Sequence, residues 1–237
     1  MLSIIIPTWN EENYLPKLLD RIKKQTFKNY EIIVVDDNSD DKTRAIARNY
    51  GCKVIMEMKN RKGNPGIARN LGATIAKGEV LLFFNADTRI DNDFLENALS
   101  EIKKRSLDVA GAYIKPITDK FIDKVFIGIF NFIVSITQFF YPNACGDCIF
   151  CKKWLHKKVG GFDETILLGE DLDYLQRCGK LGKFRIIKSV KTYFSMRRFD
   201  NEGRLKVVFR HTLSATYRLL FGQIRSDIFK YSLRYKK

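Results

Sequence analysis

Three clusters of acidic and amide side chains end apolar runs in this chain. Phe83-Phe84-Asn85-Ala86-Asp87-Thr88 closes the run 80–84. Asp36-Asp37-Asn38-Ser39-Asp40 closes 31–35, and Pro7-Thr8-Trp9-Asn10-Glu11 closes 2–6. Short apolar runs bounded by polar residues read as buried strands. Side chains alternate along a strand, so Asn85 and Asp87 share one side if the backbone stays extended there. A fourth acidic group, Gly169-Glu170-Asp171-Leu172-Asp173, opens a helical pattern. Carboxylates in a first helical turn favour the positive end of the dipole, which is the plain reading of Glu170 and Asp171 taken alone. Asp173 reads as a helix-face or capping residue.

The elements that hold these clusters follow from periodicity. Residues 14–25 have helical spacing, with Leu15, Leu18, Leu19 and Ile22 on one face. Asp40 is placed to cap a helix over 41–50, which Gly51 ends. Residues 53–56 predict a third strand, 65–77 a helix stopped by Gly78, and 79–84 a fourth strand. A helix over 91–105 and a strand over 108–113 follow. Strands alternating with helices of this length predict parallel crossovers and a doubly wound α/β sheet, mostly parallel, with helices on both faces. Such sheets bind ligands outside the carboxyl ends of their strands. All three polar clusters fall there.

The later half is less regular. Residues 125–141 carry no charge and reach the lower edge of membrane-spanning length. Lys124, Gly128, Asn131, Ser135 and Gln138 recur every three or four residues as a narrow polar stripe. That pattern leaves three options: a core helix flanking the site, an interfacial helix, or a single span. Residues 147–151 and 192–196 read as strands. Cys145, Cys148 and Cys151 form a C-x2-C-x2-C run among five cysteines. The odd count argues against a full disulfide framework, and the run lacks the nearby fourth cysteine of an iron–sulfur site, so the thiols read as small packed apolar groups. His156 and His211 read as structural or exposed.

The chain has 237 residues, 45% of them hydrophobic, enough for one large α/β domain or two small ones. Its formal net charge is +15, which favours anionic partners. No helix-turn-helix, zinc finger or RNA-binding aromatic signature accompanies that charge, so nucleic acid is excluded as a partner. The start, Met1-Leu2-Ser3-Ile4-Ile5-Ile6-Pro7, lacks a basic leader, and a cytoplasmic location is expected.

Five segments, SIIIPTWNEENYL, EIIVVDDNSDDKT, GIARNLGATIAKGEVLLFFNADT, VGGFDE and GEDLDYLQR, occur in an order and spacing that resemble family 2 glycosyltransferases. The resemblance runs from about residue 2 to 198 and comes nearest to small soluble dolichyl-phosphate mannosyltransferase-like members. It implies the GT-A, or nucleotide-diphospho-sugar transferase, fold over 1–202. The nucleotide-binding half would span about 1–115 and the acceptor half about 116–202, with a basic amphipathic helical segment over 203–237. It implies a nucleotide-sugar pocket lined by Pro7, Thr8, Trp9, Glu11, Asp37, Arg69, Asn85 and Ala86. Asp37 would accept from a base N–H, and Arg69 would approach the nucleotide and offset the acids. Asp87 matches the last acid of the family's D-x-D motif, which holds Mg²⁺ or Mn²⁺ on the diphosphate. Asn85 departs from that motif: an amide bonds hydroxyls but brings no charge.

The same resemblance points to Asp171 as the catalytic base, with Glu170 beside it to tune its basicity or help bind the acceptor. One direct displacement at the anomeric carbon inverts it, so an inverting enzyme is expected. Arg197-Arg198 are read either as a clamp on the diphosphate or a phosphorylated acceptor, or as solvated cations. The cations from Arg204 onward, interleaved with large apolar residues, suggest attachment to the inner leaflet of an anionic membrane and a lipid-linked or membrane-borne acceptor. The other reading of that segment is a helix packed on the domain with a solvated basic face. The alternative function is a catalytically silent nucleotide-sugar-binding or scaffold protein of the same fold.

Overall fold

The structure, a computed structural model, describes residues 1–56, 64–226 and 228–229. Asp227, Lys230, Arg234, Lys236 and Lys237 of the basic segment lie outside the described residues. Leu2–Thr8 (β1), Leu15–Lys23 (α1), Tyr30–Asp36 (β2), Thr43–Asn49 (α2), Lys53–Met56 (β3), Pro65–Ile75 (α3) and Val80–Phe84 (β4) form the first half. Phe94–Lys104 (α4), Val109–Pro116 (β5), Phe121–Thr137 (α5), Cys148–Lys152 (β6) and Lys153–Lys158 (α6) follow. Glu170–Leu181 (α7), Phe184–Phe194 (β7), Arg197–Glu202 (α8) and Arg204–Phe221 (α9) complete it.

One seven-stranded sheet runs in the order β3-β2-β1-β4-β6-β5-β7. β1 pairs in parallel with β2 and β4, β2 with β3, and β5 with β7. β6 is antiparallel to both β4 and β5, and the other pairings are parallel, so the sheet is mostly parallel as expected. Because both faces of the sheet are covered, its central strands are continuous apolar runs rather than alternating ones. Alternation then deals their side chains to two core layers. Ile4, Ile6, Leu82 and Phe84 pack with Leu18 and Phe94 on one side; Ile5, Leu81 and Phe83 pack with Ala68 and Ile149 on the other.

α3 lies close on the sheet because Gly72 faces Ile5, where a Cβ would overlap the Ile5 side chain. Its start is fixed by Asn64, whose Oδ1 accepts from Gly66 N (2.8 Å) while its amide nitrogen donates to the carbonyls of Glu164 (3.0 Å) and Ile166 (2.8 Å). Asn64 thereby caps α3 and ties it to the loop that leads into α7.

Four boundaries differ from those the sequence predicts. The start of α2 is braced by Asp41, which accepts from Thr43 N (2.9 Å), rather than by Asp40. β7 begins at Phe184, well before 192; Arg185, Lys188 and Lys191 break up the apolar pattern that would mark its start in sequence. That strand ends at Phe194 rather than at residue 196, and Arg197 and Arg198 open α8. α5 starts at Phe121 and takes in Asp123, a fully buried acid held by Arg204 of α9 at 2.6 and 2.8 Å.

Asn131 and Gln138 of the α5 stripe face the protein, while Lys124 and Gly128 are exposed. Asn131 donates to Ile114 O (2.8 Å) and accepts from Ile114 N (3.2 Å), and Gln138 accepts from Ile186 N (3.0 Å). The end of the described chain packs back on the body, where Leu168 and Ile224 form a β-bridge and Val207, Ser214 and Ile224 are buried.

Candidate active site

The loops after β1 and β2 are stitched into one wall. Asp36 is fully buried and accepts from Thr8 Oγ1 (3.3 Å), Ser39 N (2.9 Å) and Ser39 Oγ (2.5 Å). It is therefore the acid that organises the turn. Asp37, the next residue, is 8% exposed, and its N–H donates to Thr8 O at 2.8 Å. Asn10 and Asn38 both take left-handed backbone conformations, with φ of 53° and 55°. Asparagine tolerates that region better than other non-glycine residues. The bends let Asn10 N donate to Ser39 Oγ (2.9 Å) and Asp40 N donate to Asn10 Oδ1 (3.0 Å). Pro7 and Trp9 are half-buried on this wall and Thr8 is buried.

At the end of β4 the backbone turns, and Thr88 N donates to Asn85 O at 3.2 Å. Asn85 and Asp87 consequently do not share one side, as an extended backbone would require. Each faces its own arginine. Asn85 Oδ1 accepts from Arg69 Nη2 at 3.1 Å, while Asp87 Oδ2 lies 3.4 Å from Arg197 Nη2. Ala86 between them is buried. Arg197 also donates to both carboxylate oxygens of Glu11, at 3.1 and 3.3 Å, and lies 4.5 Å from the centre of the Tyr14 ring. Burial pushes the Glu11 carboxyl up, and Arg197 opposes that shift. Arg198, one residue on, lies 4.0 Å from Glu202 on α8.

Arg69 is 2% exposed and acts as a strut. One terminal nitrogen reaches Glu170 Oε1 (3.0 Å), the other Asn85 Oδ1 and Gly146 O (3.1 Å each). Its guanidinium rests 5.2 Å from the centre of the Phe162 ring. A single buried cation thus joins the β4 edge, the loop before β6 and the start of α7. The resemblance implies that Arg69 approaches the nucleotide; in the structure its forked end is engaged by protein acceptors.

Asp171 follows Glu170 in the first turn of α7. Its Oδ1 accepts from Leu172 N (2.8 Å), and its carboxylate packs directly on Gly146. Burial and the neighbouring Asp171 raise the Glu170 carboxyl, against the pull of Arg69. His211 of α9 is exposed, yet its charge interacts with Asp171 and with Arg198, Arg218 and Arg210. Partial desolvation and these cations lower its pKa. Nothing local in the sequence marks His211 as a neighbour of Asp171.

The segment Cys145-Gly146-Asp147-Cys148 was legible only as part of a cysteine run. Its working members are the two between the cysteines. Gly146 supplies a carbonyl to Arg69 and room to Asp171. Asp147 is 3% exposed and accepts from Thr192 Oγ1 (3.0 Å), while its backbone O accepts from Asn85 N (3.3 Å) and Thr88 Oγ1 (3.2 Å). Burial pushes its carboxyl up to about 7, with the charge of Asp87 adding to the shift. The five cysteines are free thiols. Cys148 and Cys151 point to opposite core layers of the sheet, so the run cannot converge on one ion. His156 is a core residue, its Nδ1 2.9 Å from the Tyr174 hydroxyl, and burial brings its pKa down to about 4.

A Cβ at position 146 would overlap Asp171 Oδ2 and Cγ. Gly146→Ala should therefore displace the Asp171 carboxylate and, if Asp171 is the catalytic base expected from the resemblance, lower turnover by about tenfold to a hundredfold, the scale of a misplacement near 1 Å. Steady-state kinetics beside a thermal melt separate this from unfolding, since the melting temperature should move little.

Among the described residues no three His, Cys, Asp or Glu side chains gather into a cage for a metal ion. Asp87 instead offers one carboxylate, partly exposed, at the open end of the Arg197 pair. That donor set fits a hard cation that arrives with phosphate oxygens of its own.

A mostly parallel sheet with acidic side chains at three carboxyl edges, faced by a helix that opens on two more, defines a GT-A domain. The comparisons agree. The profile described as Glycosyl transferase family 2 matches residues 3–160, well over half of the chain. The chain belongs to that family. It is 31% identical over 188 residues to an uncharacterized glycosyltransferase of Rickettsia typhi, a match that covers 73% of this chain and 57% of that protein. It superposes on residues 1–349 of Staphylococcus aureus TarS in complex with UDP-GlcNAc with a TM-score of 0.67, at 23% identity, covering 82% of this chain and 58% of that one. It superposes on the mannosyltransferase PcManGT of Pyrobaculum calidifontis, in complex with GDP-Man and Mn2+, with a TM-score of 0.71 at 18% identity, covering 90% and 61%. The chain thus spans less than two thirds of the length of these relatives.

Proposed function

We propose that this chain is an inverting glycosyltransferase that moves a sugar from a nucleoside diphosphate to an acceptor hydroxyl or phosphate. The observation that carries this reading is the Arg69 strut, which sets Glu170-Asp171 beside the turn that bears Asp87. Donor and acceptor sides of one reaction then meet at a single sheet edge. In that reading residues 1–202 form the catalytic unit and 203–237 an appended segment.

The steps follow from the groups present. Pro7, Thr8, Trp9 and Asp37 receive the nucleotide on the β1–β2 wall, with Asp37 accepting from the base. The acceptor oxygen attacks the anomeric carbon from the side opposite the diphosphate. The bond from that carbon to the diphosphate oxygen breaks, and the diphosphate leaves with the electron pair. The proton of an acceptor hydroxyl passes to a carboxylate oxygen of Asp171, within about 2.6–3.2 Å in a reactive complex. Arg197 holds Asp87 and Glu11 in place for the donor. Asp87 would carry Mg²⁺ or Mn²⁺ together with the diphosphate; the Mn2+ complex of the Pyrobaculum mannosyltransferase supports the use of a divalent cation. The cation would offset the charge that develops on the leaving diphosphate.

A thermal-shift panel of UDP- and GDP-sugars, with and without Mn²⁺, tests the reading. One nucleotide class should stabilise the native state by about 2.7 kcal/mol at a hundred times its dissociation constant. A panel in which no nucleotide sugar shifts the melt would defeat it. The alternative of a silent binding protein rests on Asn85, an amide that Arg69 occupies, and it is separated from catalysis by the Asp171 variant discussed below.

A further inference from the structure

The outer faces of α5 and α9 take no part in the site. On α5, Phe121, Ile122, Ile129, Phe132, Ile133 and Ile136 are 47–79% exposed. At 3.6 residues per turn these six fall within an arc of about 120°. The opposite side holds Asp123, Asn131 and Gln138, each bonded inward. Ile127 and Val134 are buried on that side too, so α5 is apolar on both faces, whereas a solvated helix turns a polar side to water.

α9 likewise exposes large apolar side chains on its outer face. Val207 and Ser214 are buried, and Arg204 and Arg210 turn to Asp123 and Glu202. Leu205, Phe209, Leu213, Leu219 and Leu220 are 42–81% exposed. Arg204 joins the starts of the two helices through Asp123. Exposed apolar groups on this scale exceed the scattered surface residues of an ordinary soluble domain and mark a contact surface.

Charge selects the occupant. The chain carries +15, and Lys124, Lys206 and Arg225 are exposed on or beside these helices. A second copy brought to the same face would carry the same charge, whereas an anionic bilayer attracts it. Among the described residues no helix is long and apolar enough to cross a membrane. Helices with a wide apolar face lie in the plane of the interface instead.

We propose that α5 and α9 form a membrane-docking surface, which seats the chain on an anionic leaflet by inserting their Phe, Ile and Leu side chains. Charge draws the chain to the surface and apolar insertion retains it. Part of the α9 cation set is already committed to carboxylates, so attachment is not purely electrostatic. This inference does not depend on sugar transfer.

Flotation of the full chain with phosphatidylcholine vesicles, with and without phosphatidylserine, tests it. The chain should float with the anionic vesicles and stay bound at about 1 M salt, where the Debye length is only about 3 Å. Phe132→Ser with Ile136→Ser, and Phe209→Ser with Leu220→Ser, should each lower partition by at least about tenfold. These positions are exposed, so the melting temperature should be unchanged. The inference is overturned if the wild-type chain does not float, if salt alone releases it, or if the four substitutions leave flotation intact. It is overturned equally if light scattering shows a dimer that the substitutions split without changing flotation, since the face would then belong to a second copy.

Discussion

Asp171→Asn is expected, on the proposed base role, to lower sugar transfer by about 10²–10⁴-fold, the range for loss of a positioned general base, while the fold and donor binding persist. Asparagine has nearly the shape of aspartate. Its carbonyl oxygen can still accept from Leu172 N, which the carboxylate does at 2.8 Å, and it fits the same space against Gly146. What it lacks is the ability to take a proton from the attacking hydroxyl. The defect should therefore appear in kcat with acceptor saturating, and the donor-induced thermal shift should match that of the parent chain. An unchanged kcat would remove Asp171 from the base role, and a parent chain with donor binding but no transfer would favour the silent binding protein.

Arg69→Met is expected to destabilise the fold by about 3–5 kcal/mol, because breaking a buried pair leaves an uncompensated charge. Arg69 and Glu170 have side-chain exposures of 3% and 12%, so water cannot easily replace the lost partner. The same substitution strips a donor from Asn85 Oδ1 and from Gly146 O. Denaturant melts measure the loss directly. Arg69→Met combined with Glu170→Gln should recover a large part of it, since the stranded charge is gone. Arg69→Lys should not match the parent, because one ammonium cannot span three acceptors as the planar fork does. If Arg69→Met melted like the parent, the strut would carry no structural weight, and the juxtaposition of Asn85 with Glu170 would need another cause.

Much of the first half is legible from sequence. The runs ending at Thr8, Asp36 and Phe84 are strands because unbroken apolar segments of that length suit a sheet covered on both faces. Their polar ends fall together because parallel strands share one carboxyl edge. The details that depend on a turn or on a distant partner are not legible. Extended alternation puts Asn85 and Asp87 on one side, and the turn at Ala86 separates them. Asp147 hid inside a cysteine run, since nothing in C-x2-C-x2-C marks the residues between the thiols. Arg69 could be assigned to the right neighbourhood, but its partners lie 16 to 101 residues away in sequence. The stripe on α5 was visible as a period, but a period does not say which side faces the protein.

The direction of that stripe has a mechanical consequence. β5 pairs with β6 only from Val109 to Gly111, and farther along the strand the amide of Asn131 meets both backbone groups of Ile114. A side chain from a helix thus plugs a gap in the ladder that a strand would otherwise fill, and the rim it seals is closed to foreign strands. Rolling α5 about its own axis would unseat the plug. The greasy side of the helix is thereby locked in bearing, like a keel fixed to a hull.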